Sequence, residues 1–172
     1  MRKFSHFFLL MALPFISCDK NRVYEKNIEI TDYINGWKSS DQKKFEFELT
    51  DTTVLYNLYI NVRHAEVYPY SNLWLMLNTK FPDGKENSQR IEIPLADQDG
   101  NWFGDGMGDI WDYKYPLTPF YIKTPGNYSI TLVHDMRMDP LPGVMDIGVR
   151  IENSGTQKNL PSPSSSPDDP IK

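Results

Sequence analysis

The sequence predicts an all-β protein: an antiparallel β-sandwich, jelly-roll-like, of about eight strands. Three observations carry that expectation. Apolar and polar residues alternate in several short runs, turn-forming clusters separate the runs, and no window carries a capped helical stripe. In chain order, Phe45, Phe47 and Leu49 interleave with Glu46, Glu48 and Thr50. Tyr56, Leu58, Ile60 and Val62 alternate with Asn57, Tyr59, Asn61 and Arg63. Ile91, Ile93 and Leu95 oppose Arg90 and Glu92; Tyr128, Ile130 and Leu132 repeat the pattern, and Ile147, Val149 and Ile151 stand against Asp146, Gly148 and Arg150. Period-two alternation puts one face of each strand on a core and the other in solvent. The run LWLMLNT (73–79) is apolar on both faces, which predicts a strand that is covered twice or lies centrally, with Trp74 in the core. Turns are expected at YPYSN (68–72), FPDGKEN (81–87), TPG (124–126) and DPLPG (139–143).

The ends of the chain read differently. Arg2 and Lys3 precede a short apolar run too short to span a bilayer, the pattern of a secretory signal over residues 1–17. The only cysteine, Cys18, follows Ser17 at the expected cleavage point and resembles the lipidated cysteine of a bacterial lipobox, with Phe15 in place of the usual leucine. Lipid on Cys18 would anchor the chain firmly and leave no thiol for a disulfide. Residues 18–27 read as a polar tether, 28–153 as the sandwich, and 154–172 as a disordered Pro/Ser-rich tail. The formal charge is −5, and removing Arg2 and Lys3 makes it more negative still. No basic cluster remains, which argues against nucleic acid as a partner.

Chemistry is sparse. Beyond the signal only His64 and His134 remain, each closing a strand pattern, and no short-spaced pair suggests zinc. The mature chain has no G-x-S-x-G elbow, no Ser-x-x-Lys motif and no free thiol, so neither catalysis nor a cofactor is expected. The densest feature is LADQDGNWFGDGMGDIWD (95–112), with five aspartates, four glycines and two tryptophans. Asp97, Asp99, Asp105 and Asp109 are weak calcium candidates, since hard oxygen ligands suit that ion, but the EF-hand spacing fails at Trp102 and Gly108. The alternative is a turn at Asp99-Gly100 followed by a tight, irregular path over a sheet edge, anchored by Trp102 and Trp111. Trp37, Trp74, Trp102 and Trp111, with ten tyrosines, also leave room for a carbohydrate-binding module.

Three blocks, NVRHAEVYPYSNLWL (61–75), PLADQDGNWFGDGMGDI and HDMRMDPLPGVMDIGVRIE, resemble the gliding motility lipoprotein GldH family of the Bacteroidetes. The matching positions are Arg63, Tyr70, Asn72, Trp74, Gly104, Gly106, Asp109, Arg137, Asp139, Pro140, Gly143, Asp146 and Arg150. The resemblance implies a lipid-anchored protein of the cell envelope with no catalytic residues to carry over, and a periplasm-facing placement is expected over one on the cell surface. It would be an assembly or structural component of the gliding motility and type IX secretion machinery, with other envelope proteins as partners. The residues expected on a partner- or ligand-facing surface are Arg63, Tyr70, Asn72, Trp102, Asp109, Trp111, Arg137, Asp139 and Arg150. Arg137 is the natural hydrogen-bonding anchor there, unless it and Asp139 tie their loop to its own sheet.

Overall fold

The computed structural model describes residues 19–157, with the backbone alone for Thr156 and Gln157. The expected signal, the lipidated Cys18 and the tail beyond residue 157 lie outside the described residues. Nine strands follow in order: β1 (Arg22–Glu29), β2 (Lys43–Leu49), β3 (Val54–Ala65), β4 (Asn72–Lys80), β5 (Glu86–Pro94), β6 (Asp105–Met107), β7 (Ile110–Pro116), β8 (Gly126–His134) and β9 (Val144–Gln157). They make two antiparallel sheets, β1-β9-β3-β7-β6 and β2-β8-β4-β5. With the three-residue β6 set aside, each sheet has four strands in jelly-roll order.

Register follows the apolar alternation. In the first sheet Leu58, Ile60 and Val62 of β3 pair with Ile151, Val149 and Ile147 of β9. In the second, Phe45 and Phe47 of β2 pair with Ile130 and Tyr128 of β8, and Leu73 and Leu75 of β4 with Ile93 and Ile91 of β5. These inward faces meet in one core closed by Trp37, Leu49, Leu95 and Leu141. A one-residue slip would turn every one of these side chains to solvent, so burial fixes the register.

The structure departs from the sequence expectation at four places. The tether expected over 18–27 is largely strand: β1 pairs with β9 from Arg22 to Glu29. At the other end β9 runs through Gln157, beyond the expected boundary at 153. The loop between Leu95 and Asp112 is not irregular throughout, because β6 and β7 form a hairpin across Asp105–Pro116. Trp74 is not core. It is half-buried on the outer face of the central strand β4, with the Arg90 guanidinium 3.9 Å from its ring, a cation–π contact that covers an outward indole.

Antiparallel pairing collects the connections at two ends, roughly 40 Å apart along the twelve-residue β3. One end holds residues 30–42, 66–71, 95–104, 108–109 and 135–143. The other holds the N-terminal segment 19–21 with 50–53, 81–85, 117–125 and the close of β9.

Candidate interaction surface

The loop end is built from segments that satisfy each other's backbone. Trp37 and Leu141 exchange both backbone hydrogen bonds at 2.8 Å, Gly143 N–H donates to Tyr33, Ala65 N–H to Gly143, and Glu66 N–H to Asp109. Asp139 then accepts the Ser39 backbone N–H at 3.1 Å and a very short bond from the Ser39 hydroxyl, joining the β1–β2 and β8–β9 loops. Two glycines permit the close approach: Gly36 and Gly143 have φ of +107° and +85°. A Cβ on either would come within 2.7 Å of backbone atoms, of Leu141 and Tyr68 respectively. Loops cross-linked in this way hold one shape.

Beneath them lies an aromatic cluster. His64 is fully buried, 4.5 Å centroid to centroid from Trp102 and 5.7 Å from Tyr68, and Tyr68 packs edge-on against Tyr70 at 6.0 Å. The Tyr68 hydroxyl donates to the Asn72 carbonyl, and the Asn72 amide donates to Glu92 at 2.6 Å. Trp111 sits opposite His64 on β7, and its indole lies over Gly106, where any Cβ would collide with the ring. Trp102 and Trp111 thus anchor the glycine-rich segment, as the sequence suggests.

Of the acidic candidates, Asp97 is committed to its own turn. Its carboxylate accepts the backbone N–H groups of Asp99 and Asn101 at 2.9 and 2.8 Å and the Asn101 amide at 2.9 Å, and these bonds hold its pKa below the usual range. Asp105 is exposed on β6 opposite Asp112, and exposed Asp109 uses its carbonyl to receive Glu66 N–H. Among the described residues no group of three or more His, Cys, Asp or Glu side chains converges as a metal site. His64 and His134 lie on β3 and β8, in opposite sheets. Ser39, Asp139 and His134 do come together, but with the aspartate in the middle: Ser39 bonds Asp139, whose other oxygen is 3.6 Å from His134 Nε2. A hydroxyl bonded to a carboxylate instead of to the imidazole is not an activated nucleophile.

Besides Asn72, Trp102 and Trp111, three charged residues expected at the surface are also engaged within the molecule. Arg63 grips Asp112 through two bonds of 2.7 and 3.0 Å and lies 3.5 Å from Asp146, on the outer face of the first sheet. Burial is the main cause that raises the Asp146 pKa. Asp139 is tied to Ser39. Arg150 holds Asp19, Glu25 at 2.8 Å and Glu152 at 2.6 Å, with only 13% of its side chain exposed. Arg137, by contrast, is exposed and forms no ion pair among the described residues.

Sequence reasoning missed the most exposed apolar side chains of this end. Ile34 is 71% exposed, Val67 69%, Met107 84% and Met138 43%. Each is a lone apolar residue within a turn-rich segment, without the alternating partners of a strand. That mismatch was the available signal.

These features define a jelly-roll module with a cross-linked, apolar-tipped loop platform at one end and a charge-clamped N-terminal segment at the other. The profile of the family described as GldH lipoprotein matches residues 22–151. The chain is 34% identical over 155 residues to the gliding motility lipoprotein GldH homolog of Christiangramia forsetii, covering 86% of this chain and 93% of the relative. It is 31% identical over 160 residues to the gliding motility lipoprotein GldH of Flavobacterium johnsoniae, covering 87% and 96%. Among solved structures, dimeric latent PorU from Porphyromonas gingivalis matches at a TM-score of 0.33 and 10% identity, over 77% of this chain and 13% of that one. So low a score carries no argument. The chain belongs to the GldH lipoprotein family, whose members are membrane-anchored proteins of the cell envelope.

Proposed function

We propose that this protein is a lipid-anchored, non-catalytic component of the gliding motility and type IX secretion machinery, facing the periplasm and docking other envelope proteins through its loop end. Lipid on Cys18 sets the membrane at the N-terminal end, since Asp19 follows it directly. The observation that carries the reading is the set of exposed apolar tips at the opposite end, Ile34, Val67 and Met138 on loops and Met107 at the tip of the β6–β7 hairpin. Arg137, Tyr70, Trp102 and Asp109 belong to the same end of the sandwich. An apolar centre with aromatic and arginine neighbours is the composition of protein interfaces. The names of the two relatives supply the motility context.

Cross-linking in intact cells tests it. The wild-type chain should capture other envelope proteins, and Val67→Asp combined with Met107→Asp should reduce that capture at least tenfold. Glu46→Lys, on the outer face of β2, should leave it unchanged. Capture that survives the double substitution would refute the docking role.

A second reading has one observation in its favour. Tyr113 and Tyr115 on β7 and Phe103 from the connection before β6 form a row with centroids 5.8 and 6.1 Å apart, all half-buried, a strip on which sugar rings could stack. Affinity-gel retardation by envelope polysaccharide, lost in Tyr113→Ala, would favour that carbohydrate-binding alternative.

A further inference from the structure

The N-terminal end of the sandwich is not closed. Between the two sheets there, Leu58, Leu77, Ile91, Leu117, Ile122 and Ile130 wall a slot of about 560 Å³. That volume lies within the range of about 300–1,000 Å³ typical of small-molecule sites. Its walls come from both sheets and from the 117–124 segment, which is held by the paired backbone bonds between Tyr56 and Phe120 at 2.9 Å. The mouth has a different chemistry. Phe81 and Tyr121 stand at its lip, each 37% exposed, with Lys85 and Lys123 beside them.

Three features of this end point to one occupant. The chain enters the domain here: Asn153 N–H donates to the Asn21 carbonyl at 2.8 Å, and Asn153 pairs with Tyr56, whose other neighbour Phe120 lines the slot. Lipid on Cys18, which is bonded directly to Asp19, would bring this end to the bilayer. The lip carries aromatics and lysines, the side chains that settle at the headgroup level. Behind them the slot is lined mainly by aliphatic and aromatic side chains, with Thr79, Asn87, Gln89 and Thr118 among them, and its charged groups, Asp83, Lys85 and Lys123, lie on the two connections that carry the lip. We propose that this slot receives one acyl chain of a bilayer phospholipid, so that the domain sits on the membrane through a lipid it holds as well as through its own anchor. The site is separate from the docking platform and stands or falls independently of it.

Photo-cross-linking of the full lipidated chain tests this in two arms. In the first, the protein is reconstituted into phosphatidylethanolamine–phosphatidylglycerol vesicles that contain a trace of phospholipid carrying a diazirine near the end of one acyl chain. Adducts should map to Leu77, Ile91 or Ile130 on the slot floor. Leu117→Trp, which fills the slot from its half-exposed wall, should lower their yield at least tenfold while leaving the circular dichroism spectrum unchanged. In the second arm the diazirine is placed only on the protein's own acyl groups, in unlabelled vesicles, and floor adducts should be absent. Adducts confined to Phe81 and Tyr121, or spread over all faces, would overturn the proposal without reference to any variant. So would floor adducts in the second arm, which would assign the slot to the anchor itself.

Discussion

Acidification from pH 6.5 to 5.5 should weaken the fold through two histidines, and the structure sets the size of the effect. His64 is fully buried; its Nδ1 lies 3.2 Å from the Ala65 carbonyl and, as N–H, donates to it, while Nε2 meets no partner. His134 is 2% exposed, edge-on to Trp37 at 5.1 Å, with Asp139 just beyond hydrogen-bond reach. Burial pushes both imidazoles below their ordinary value, and the nearby Asp112 and Asp139 offset only part of that. In the unfolded chain each takes a proton near pH 6.5. Below that pH the unfolded state binds protons that the folded state refuses, so stability falls as pH falls. The loss ends only once pH has passed through the folded values. Each histidine contributes at most about 1.4 kcal/mol per pH unit, but the unfolded imidazole is only half protonated at about pH 6.5, so the pair can remove up to roughly 2 kcal/mol across this unit. Asp19, Asp139 and Glu152 also have depressed values, owing to their arginine and serine partners, but their losses begin only below about pH 4.5. Urea unfolding at pH 7.5, 6.5 and 5.5 measures the slope, and His64→Leu or His134→Leu should each flatten it by up to one proton. A wild-type slope of zero over this window, or leucine variants with the wild-type slope, would refute the account.

Replacing Arg150 with methionine strands the half-buried Glu25 and Glu152 and releases Asp19. It should cost about 2–4 kcal/mol in urea titration, somewhat below a fully buried pair. Arg150→Lys should not restore this, because one ammonium cannot span three carboxylates. Gly143→Ala should destabilise by more than Gly100→Ala. Both glycines have positive φ, costing about 1–3 kcal/mol for another residue, but only Gly143 also drives a Cβ into backbone. Thermal melting checks the order. Addition of 1 mM calcium or of chelator should leave Tm unchanged, since Asp97 already spends both oxygens on its own turn; a rise with calcium would reinstate the loop as a metal site.

The strands legible in the sequence are those whose alternation is set by full burial: Phe45–Leu49, Tyr56–Val62, Ile91–Ile93, Tyr128–Leu132 and Ile147–Ile151. Those not legible lie at margins, where burial is partial and the pattern weakens. In β1, Lys26 pairs with Val149 on the face shared with Tyr24 and Ile28, so a charge interrupts the apolar side. An inward charge on an edge strand also discourages pairing with other chains. In β7, Trp111, Tyr113 and Tyr115 do alternate with Asp112, Lys114 and Pro116, but they are half-buried aromatics on the outer side of β3. Without a covering strand they read as loop. The slot was invisible for another reason: its walls are gathered from five separate strands and two connections, and no single window of sequence contains it.

The same distinction sorts the candidate surface. Residue type alone marked Arg63, Asp139 and Arg150 as available, since arginine and aspartate serve partners and internal pairs equally well. Only placement separates the two uses. Arg150 sits on the interior strand β9, flanked by β1 and β3, so it can reach carboxylates from the N-terminal segment, β1 and its own strand at once. Arg137 projects from a loop whose backbone is already bonded to Trp37 and Tyr33, and it has no ion-pair partner among the described residues. The consequence is a division of labour along the strand axis. Arg150 is consumed in fixing the segment that follows Cys18 to β1 and β9. Arg137 and the exposed apolar side chains at the loop end remain unpaired with charge among the described residues, about six strand residues or roughly 20 Å from Arg150. A substitution that frees Asp19 should therefore alter how the domain stands on the membrane while leaving partner capture by the isolated loop end intact, and Val67→Asp should do the reverse.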